Sequence, residues 1–186
     1  MVGSKVNIPN LLTTLRLILV PFIFGFLLAF PHDGTWRTVT MILFMIAVFT
    51  DYLDGQIARR NNLVTDFGKL WDPVADKFMT GMAFIGLSIL SELWWWVTVV
   101  VMVREIGITL LREWLRKRQI IMPANRGGKL KTMMQSLALT MFIFGLWRTP
   151  TWFDWIAYIA MGIAVALTIV SGVIYLIETR RNFRQR

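Results

Sequence analysis

The chain has 186 residues, 56% of them hydrophobic, with 20 Lys and Arg against 11 Asp and Glu, a net charge of +9 and no cysteine. Soluble domains run at roughly 45–50% apolar, so the surplus reads as a membrane protein; at about 20 apolar residues per span, the length allows roughly six spans and leaves little for a soluble domain. The cysteine count excludes disulfides and thiolate chemistry, and a single histidine, His32, argues against a histidine–cysteine zinc site.

Six apolar segments follow one another at 9–30, 36–58, 67–91, 93–115, 129–148 and 152–177. Each is predicted to be a transmembrane helix, giving an all-α polytopic membrane protein with one domain over residues 1–186. The first segment is longer than a signal-peptide core and has no small-residue cleavage site behind it, so it reads as a retained span. Basic residues set the orientation. Lys5, Arg59, Arg60, Arg116, Lys117, Arg118, Arg126, Lys129 and the tail "RRNFRQR" all fall on one side of six spans. The other side holds His32, Arg37 and Arg148. Both termini are therefore expected in the cytoplasm. Trp94, Trp95, Trp96, Trp147, Trp152 and Trp155 gather at the far ends, as an aromatic belt does. Because the basic residues flank spans, they suit anionic lipid headgroups, and no nucleic-acid partner is expected.

Between segments two and three lies "DYLDGQIARRNNLVTDFGKLWDPVADK", residues 51–77, with five aspartates. A charge at membrane depth costs about 2.5–3.5 kcal/mol on insertion scales, so such a cluster needs a reason. Asp51 and Asp54 are spaced i, i+3, and with Gly55 and Ala58 they share one helical face. Asp72 and Asp76 are spaced i, i+4 on the next helix. Four carboxylates brought together repel unless cations sit among them. Hard oxygen donors suit Mg²⁺, Mn²⁺ or Ca²⁺, and the charge suffices for two divalent ions. A plainer reading stands beside this one: Asp66 as a solvated loop carboxylate, and Asp72, before Pro73, as a helix N-cap.

The residues read D-x-x-D-G-x-x-A-R-x8-G-x3-D-x3-D from Asp51 to Asp76. In this the chain resembles the CDP-alcohol phosphatidyltransferases, with every fixed position present and the likeness extending over the whole chain. The resemblance implies transfer of a phosphatidyl group from CDP-diacylglycerol to an alcohol, with release of CMP. It implies Asp51, Asp54 and Asp72 as ligands of two divalent cations, Mg²⁺ or Mn²⁺, and Asp76 as a ligand that also serves as general base. Gly55 and Arg59 resemble contacts to the CDP group, with Thr65 and Gly68 close to it and Ala58 small for packing. Asn10, Thr13 and Arg16 resemble polar residues lining the substrate cavity, although Asn10 also reads as an N-cap. A homodimer in the bacterial cytoplasmic membrane, its site facing the cytoplasm, is implied as well.

Other residues bear on the acceptor. Arg104 and Arg112 lie eight apart near one face of segment four, and Lys129 and Lys131 open segment five. Arginine binds phosphate in bidentate fashion and lysine adds point charge, so an acceptor that carries a phosphate would explain them. Positive-inside anchoring is the alternative. "NIPNLLTTLRLILVPF", "REIGITLLREW" and "GKLKT" resemble the bacterial branch of the family whose acceptor is sn-glycerol 3-phosphate. Serine, inositol phosphate and phosphatidylglycerol are the competing acceptors. A divalent-cation channel or carrier is the reading from another class, but segments five and six lack the polar residues a path would need.

Overall fold

The computed structural model describes residues 8–60, 66–118 and 126–184. Among these, all regular structure is helical: α1 Ile8–Ala29, α2 Gly34–Arg60, α3 Asp66–Ile89, α4 Trp95–Lys117, α5 Arg126–Phe144 and α6 Thr151–Arg184, with one 3-10 turn, Leu146–Arg148, before α6. The six predicted segments are these six helices. The largest difference is α6, which runs to Arg184 and not 177. Apolarity marks what lipid can cover, whereas Glu, Arg and Lys continue a helix readily once it is in water.

Local chemistry sets several ends. Asp33 starts α2: its Oδ1 accepts from the backbone N–H of Thr35 at 2.8 Å and of Trp36 at 3.1 Å, satisfying two of the helix's orphan donors. After α5 the chain turns at Gly145, whose φ of 95° favours glycine. Between α3 and α4, Ser91 takes a φ of 60°, and the N–H groups of Glu92 and Leu93 bond back to the Leu87 carbonyl. That turn delivers Glu92 to a partner on α2.

α1 lies against α2 and α3, α5 against α6 and α2, and α4 against α6 and α3. The core holds Val20, Leu27, Phe44, Phe84, Leu87, Leu139 and Phe142. Its other content is unusual: Thr13, Arg16, Arg37, Ser88, Thr98, Glu105, Lys131, Gln135 and Thr168 are also buried. Ile18, Phe22, Ile42, Ile46, Val103, Leu110, Ile159, Val173 and Ile177 face outward. Polar groups inside with apolar groups outside is what a bilayer requires, since polar groups must find partners within the protein. Ser88 and Thr98 show this between α3 and α4, their hydroxyls 2.6 Å apart. Leu11–Ala29 and Thr151–Arg181 are long and apolar enough to cross a membrane, and Leu130–Phe144 is a shorter apolar helix. The remaining helices carry the charges discussed below, which interrupt their apolar runs.

At the tryptophan end, Arg37 is fully buried at the start of α2. Its Nη2 meets Glu92 Oε2 at 2.5 Å and its Nη1 meets Oε1 at 3.0 Å. It also donates to the carbonyls of Ile143 and Phe142 at the end of α5, each at 2.7 Å, where helical partners run out; the Phe142 carbonyl accepts the Gly145 N–H as well. One guanidinium thus ties α2, the α3–α4 turn and α5 together. Trp94, Trp95, Trp96, Trp147, Trp152 and Trp155 stand exposed at this end.

Helix contact at the α1–α3 crossing is equally tight. A Cβ on Gly86 would lie 2.8 Å from Leu27 Cδ2 and 3.3 Å from the Phe24 ring, and Leu27 is itself locked in the core. Gly86→Val is expected to destabilise by about 1–3 kcal/mol through overpacking. A thermal midpoint equal to that of the parent in detergent would refute it.

Candidate active site

The carboxylate end lies at the opposite pole from Arg37. Asp51 is fourteen residues further along α2, or roughly 21 Å at 1.5 Å per residue. The site is organised by α1. The Thr13 hydroxyl donates to Asp72 Oδ1 at 2.5 Å, and Arg16 Nη1 pairs with Asp51 Oδ1. Thr13 and Arg16 are both buried and lie three residues apart, so they share a face of α1. Asp51 from α2 and Asp72 from α3 are therefore drawn to neighbouring points on one helix. Pairing Asp51 with a guanidinium offsets its burial cost, and its side chain retains 35% of its exposure.

The N-cap reading of Asp72 does not hold. α3 begins at Asp66, so Asp72 and Pro73 lie inside the helix. Proline there removes one backbone donor. Asp72 is free of capping duty and turns to Thr13. Asp76 follows one turn later, on the same face.

From Asp76 the site continues into a second network. Lys77 Nζ lies 3.1 Å from Asp76 Oδ2 and 2.6 Å from Glu105 Oε2. Glu105, buried on α4, also pairs with Lys131 of α5 and with Arg104 Nη1 at 3.0 Å. Arg104 is held from behind by α6: its Nε donates to the Thr168 carbonyl at 3.2 Å and its Nη2 to Ser171 Oγ at 2.9 Å. Gly172 makes room for its stem, since a Cβ there would meet Arg104 Cγ at 3.1 Å. Gln135 Nε2 bonds the Thr168 hydroxyl at 2.9 Å. Arg112 stands two turns beyond Arg104, exposed, with its guanidinium 5.6 Å from the centre of the Tyr175 ring.

Of the residues singled out from sequence, Thr13, Arg16, Asp51 and Asp72 are brought together, and Asp76 joins Arg104 and Lys131 through Lys77 and Glu105. The helices run through Asn10, Asp54, Gly55, Ala58, Arg59, Asp66, Gly68 and Lys129, whose side chains lie outside the described residues, as does the whole of Thr65. Sequence reasoning missed Glu105 and Lys77. Glu105 follows Arg104 and reads as a charge alternation; its one available signal was its position at mid-helix, where a carboxylate needs a partner.

The donor chemistry fits a hard divalent cation. Asp51 and Asp72 offer carboxylate oxygens at neighbouring points along α1, and such oxygens are the ligands Mg²⁺ and Mn²⁺ take. Among the described residues no three carboxylates or histidines form a metal-binding group. Asp54, one turn from Asp51 on α2, is the nearest further donor by position.

Comparison with known proteins identifies the family. The family model described as CDP-alcohol phosphatidyltransferase matches residues 6–170. A Mycobacterium tuberculosis protein named probable phosphatidylglycerophosphate synthase is 41% identical over 177 residues, covering 95% of this chain and 83% of its own. Proteins named CDP-diacylglycerol–glycerol-3-phosphate 3-phosphatidyltransferase are similar too. That of Rickettsia typhi is 36% identical over 91% of this chain and 94% of its own, and that of Shigella flexneri is 37% identical over 95% and 96%. With signature aspartates Asp51 and Asp72 each held by α1, the chain belongs to the CDP-alcohol phosphatidyltransferase family.

Proposed function

We propose that the chain transfers the phosphatidyl group of CDP-diacylglycerol to sn-glycerol 3-phosphate, giving phosphatidylglycerophosphate and CMP. The observation that carries this reading is the match, along nearly the whole chain, to relatives whose names state that reaction. The buried Lys131 and the half-buried Arg104, linked to Asp76 through Glu105 and Lys77, support an acceptor that carries a phosphate.

In this reading Asp51, Asp54, Asp72 and Asp76 hold two divalent cations, Mg²⁺ or Mn²⁺. The cations, when bound, neutralise the diphosphate and the departing CMP. Thr13 and Arg16 orient Asp72 and Asp51. Gly55 leaves space for the nucleotide against α2, and Asn10, Arg59, Thr65 and Gly68 contact the CDP group. Lys129, Lys131, Arg104 and Arg112 receive the acceptor's phosphate. The acceptor hydroxyl gives its proton to an Asp76 carboxylate oxygen as it bonds to the lipid-side phosphorus. The bond from that phosphorus to CMP breaks, and no covalent intermediate with the protein is required. The six helices cross the bacterial cytoplasmic membrane as one domain, in a homodimer, with both termini and the site at the cytoplasmic face. There a lipid nucleotide and a soluble alcohol can meet.

The test is CMP release by purified protein with CDP-diacylglycerol and Mg²⁺, comparing sn-glycerol 3-phosphate, serine, inositol phosphate, phosphatidylglycerol and water. Release is expected with glycerol 3-phosphate and is lost on chelation of the metal. Faster release with any other acceptor overturns the assignment.

A further inference from the structure

Glu105 has no place in the proposed chemistry, yet it is a buried carboxylate with three cationic partners. Three cations from three helices converge on it: Lys77 of α3 at 2.6 Å, its own neighbour Arg104 at 3.0 Å, and Lys131 of α5. Glu105 and Lys131 are 5% and 3% exposed. A carboxylate alone at this depth would be expelled or neutralised, and so would each cation. Glu105 lets the buried Lys131 sit beside the partly exposed Lys77 and Arg104.

The geometry of the bonds is directional. Oε2 faces Lys77, which in turn touches Asp76 at 3.1 Å, while Oε1 faces Lys131 and Arg104. One carboxylate group therefore spans the interval between the proposed base and the proposed phosphate cluster. We infer that Glu105 is a positioning residue: it holds Lys131 where the acceptor's phosphate binds and, through Lys77, sets the spacing between that phosphate and Asp76. The inference rests on the reading of the acceptor as a phosphorylated alcohol. A lysine has three rotatable donors on a flexible stem, so its ammonium is placed only by what it is bonded to. Without Glu105, Lys131 faces Lys77 and Arg104 with no counter-charge and moves apart from them.

The test uses the full chain in detergent or nanodiscs, with CDP-diacylglycerol and Mg²⁺. Glu105→Gln keeps the shape and removes the charge. It is expected to raise KM for glycerol 3-phosphate at least about tenfold, the loss of about one charge-assisted contact, while KM for CDP-diacylglycerol stays within about twofold. Glu105→Asp is expected to recover part of the acceptor affinity, because a carboxylate is again present. In a Lys131→Met background, Glu105→Gln is expected to add less than about threefold, since residues acting through one another are not additive. A fall in kcat with equal rises in both KM values, or full additivity with Lys131→Met, overturns the inference. Should Glu105→Gln not fold, Glu105→Asp decides alone: its shorter arm must raise KM for the acceptor and leave that for the nucleotide lipid unchanged. The wild-type acceptor panel separates the two readings. Release with a different phosphorylated alcohol overturns the acceptor assignment only, and the KM split is then read on that alcohol. Release only with acceptors lacking a phosphate overturns both.

Discussion

Asp76→Asn is expected to lower CMP release with glycerol 3-phosphate by at least roughly 10²–10⁴-fold, the contribution of a positioned general base. Asparagine has almost the same shape, so α3 is retained and the loss is chemical. It removes a proton acceptor, one of the four proposed cation ligands, and a charge that Lys77 now meets at 3.1 Å; retained nucleotide binding separates the first loss from the second. The discriminating measurement is single-turnover release at saturating acceptor, with binding of CDP-diacylglycerol measured in parallel. Binding within a few-fold of the parent together with a collapsed rate supports the assignment. A rate within about tenfold of the parent would mean that another group takes the proton. Asp51→Asn provides the contrast. Its partner is Arg16 on α1, and its proposed part is to hold cation and nucleotide, so nucleotide binding should weaken along with the rate.

Arg37→Met is expected to act on stability and leave the chemistry alone, because Arg37 lies at the far pole from the aspartates. The methionine fills the space of the stem but leaves Glu92 without its bidentate partner, takes the Arg37 donor from the Ile143 carbonyl, and leaves the Phe142 carbonyl with the Gly145 N–H alone. Breaking a buried pair from one side costs about 3–5 kcal/mol. Glu92 keeps 19% of its side-chain exposure, which places the loss toward the lower end. The thermal midpoint in detergent should fall by several degrees, while KM for both substrates in the surviving folded protein stays unchanged. Replacing both residues, Arg37→Met with Glu92→Leu, should restore part of the loss, since no charge is then stranded. If the single variant melts with the parent, the ion pair is not what joins α2 to the α3–α4 turn.

These expectations differ in how far they could be read before folding. The six helices are local matters of composition: apolar runs broken by "FPHDGTWR", "SELWWW" and similar stretches, and all six are present. The signature aspartates are readable too, because i, i+3 and i, i+4 spacings place side chains on one face whatever the helix packs against. So is the pole at which they sit, since basic loops and tryptophans separate along the chain. The start of α3 was not readable. Asp-Pro supports a cap as readily as a mid-helix pair, and only the backbone from Asp66 onward decided it.

Tertiary structure alone decided which charges meet. Thr13 and Asp72 are 59 residues apart, Arg37 and Glu92 55, Arg16 and Asp51 35, and Lys131 and Glu105 26. No periodicity links such positions, because pairing depends on how each helix is rotated about its axis and how far it slides along its neighbour. Those two quantities are set by the whole packed surface, by close contacts such as Gly86 against Leu27 as much as by the charges. In a bilayer the consequence is sharper than in water. A buried charge must be answered from within the protein, so Glu105, an unremarked neighbour of Arg104 along the chain, becomes the point where α3, α4 and α5 are joined.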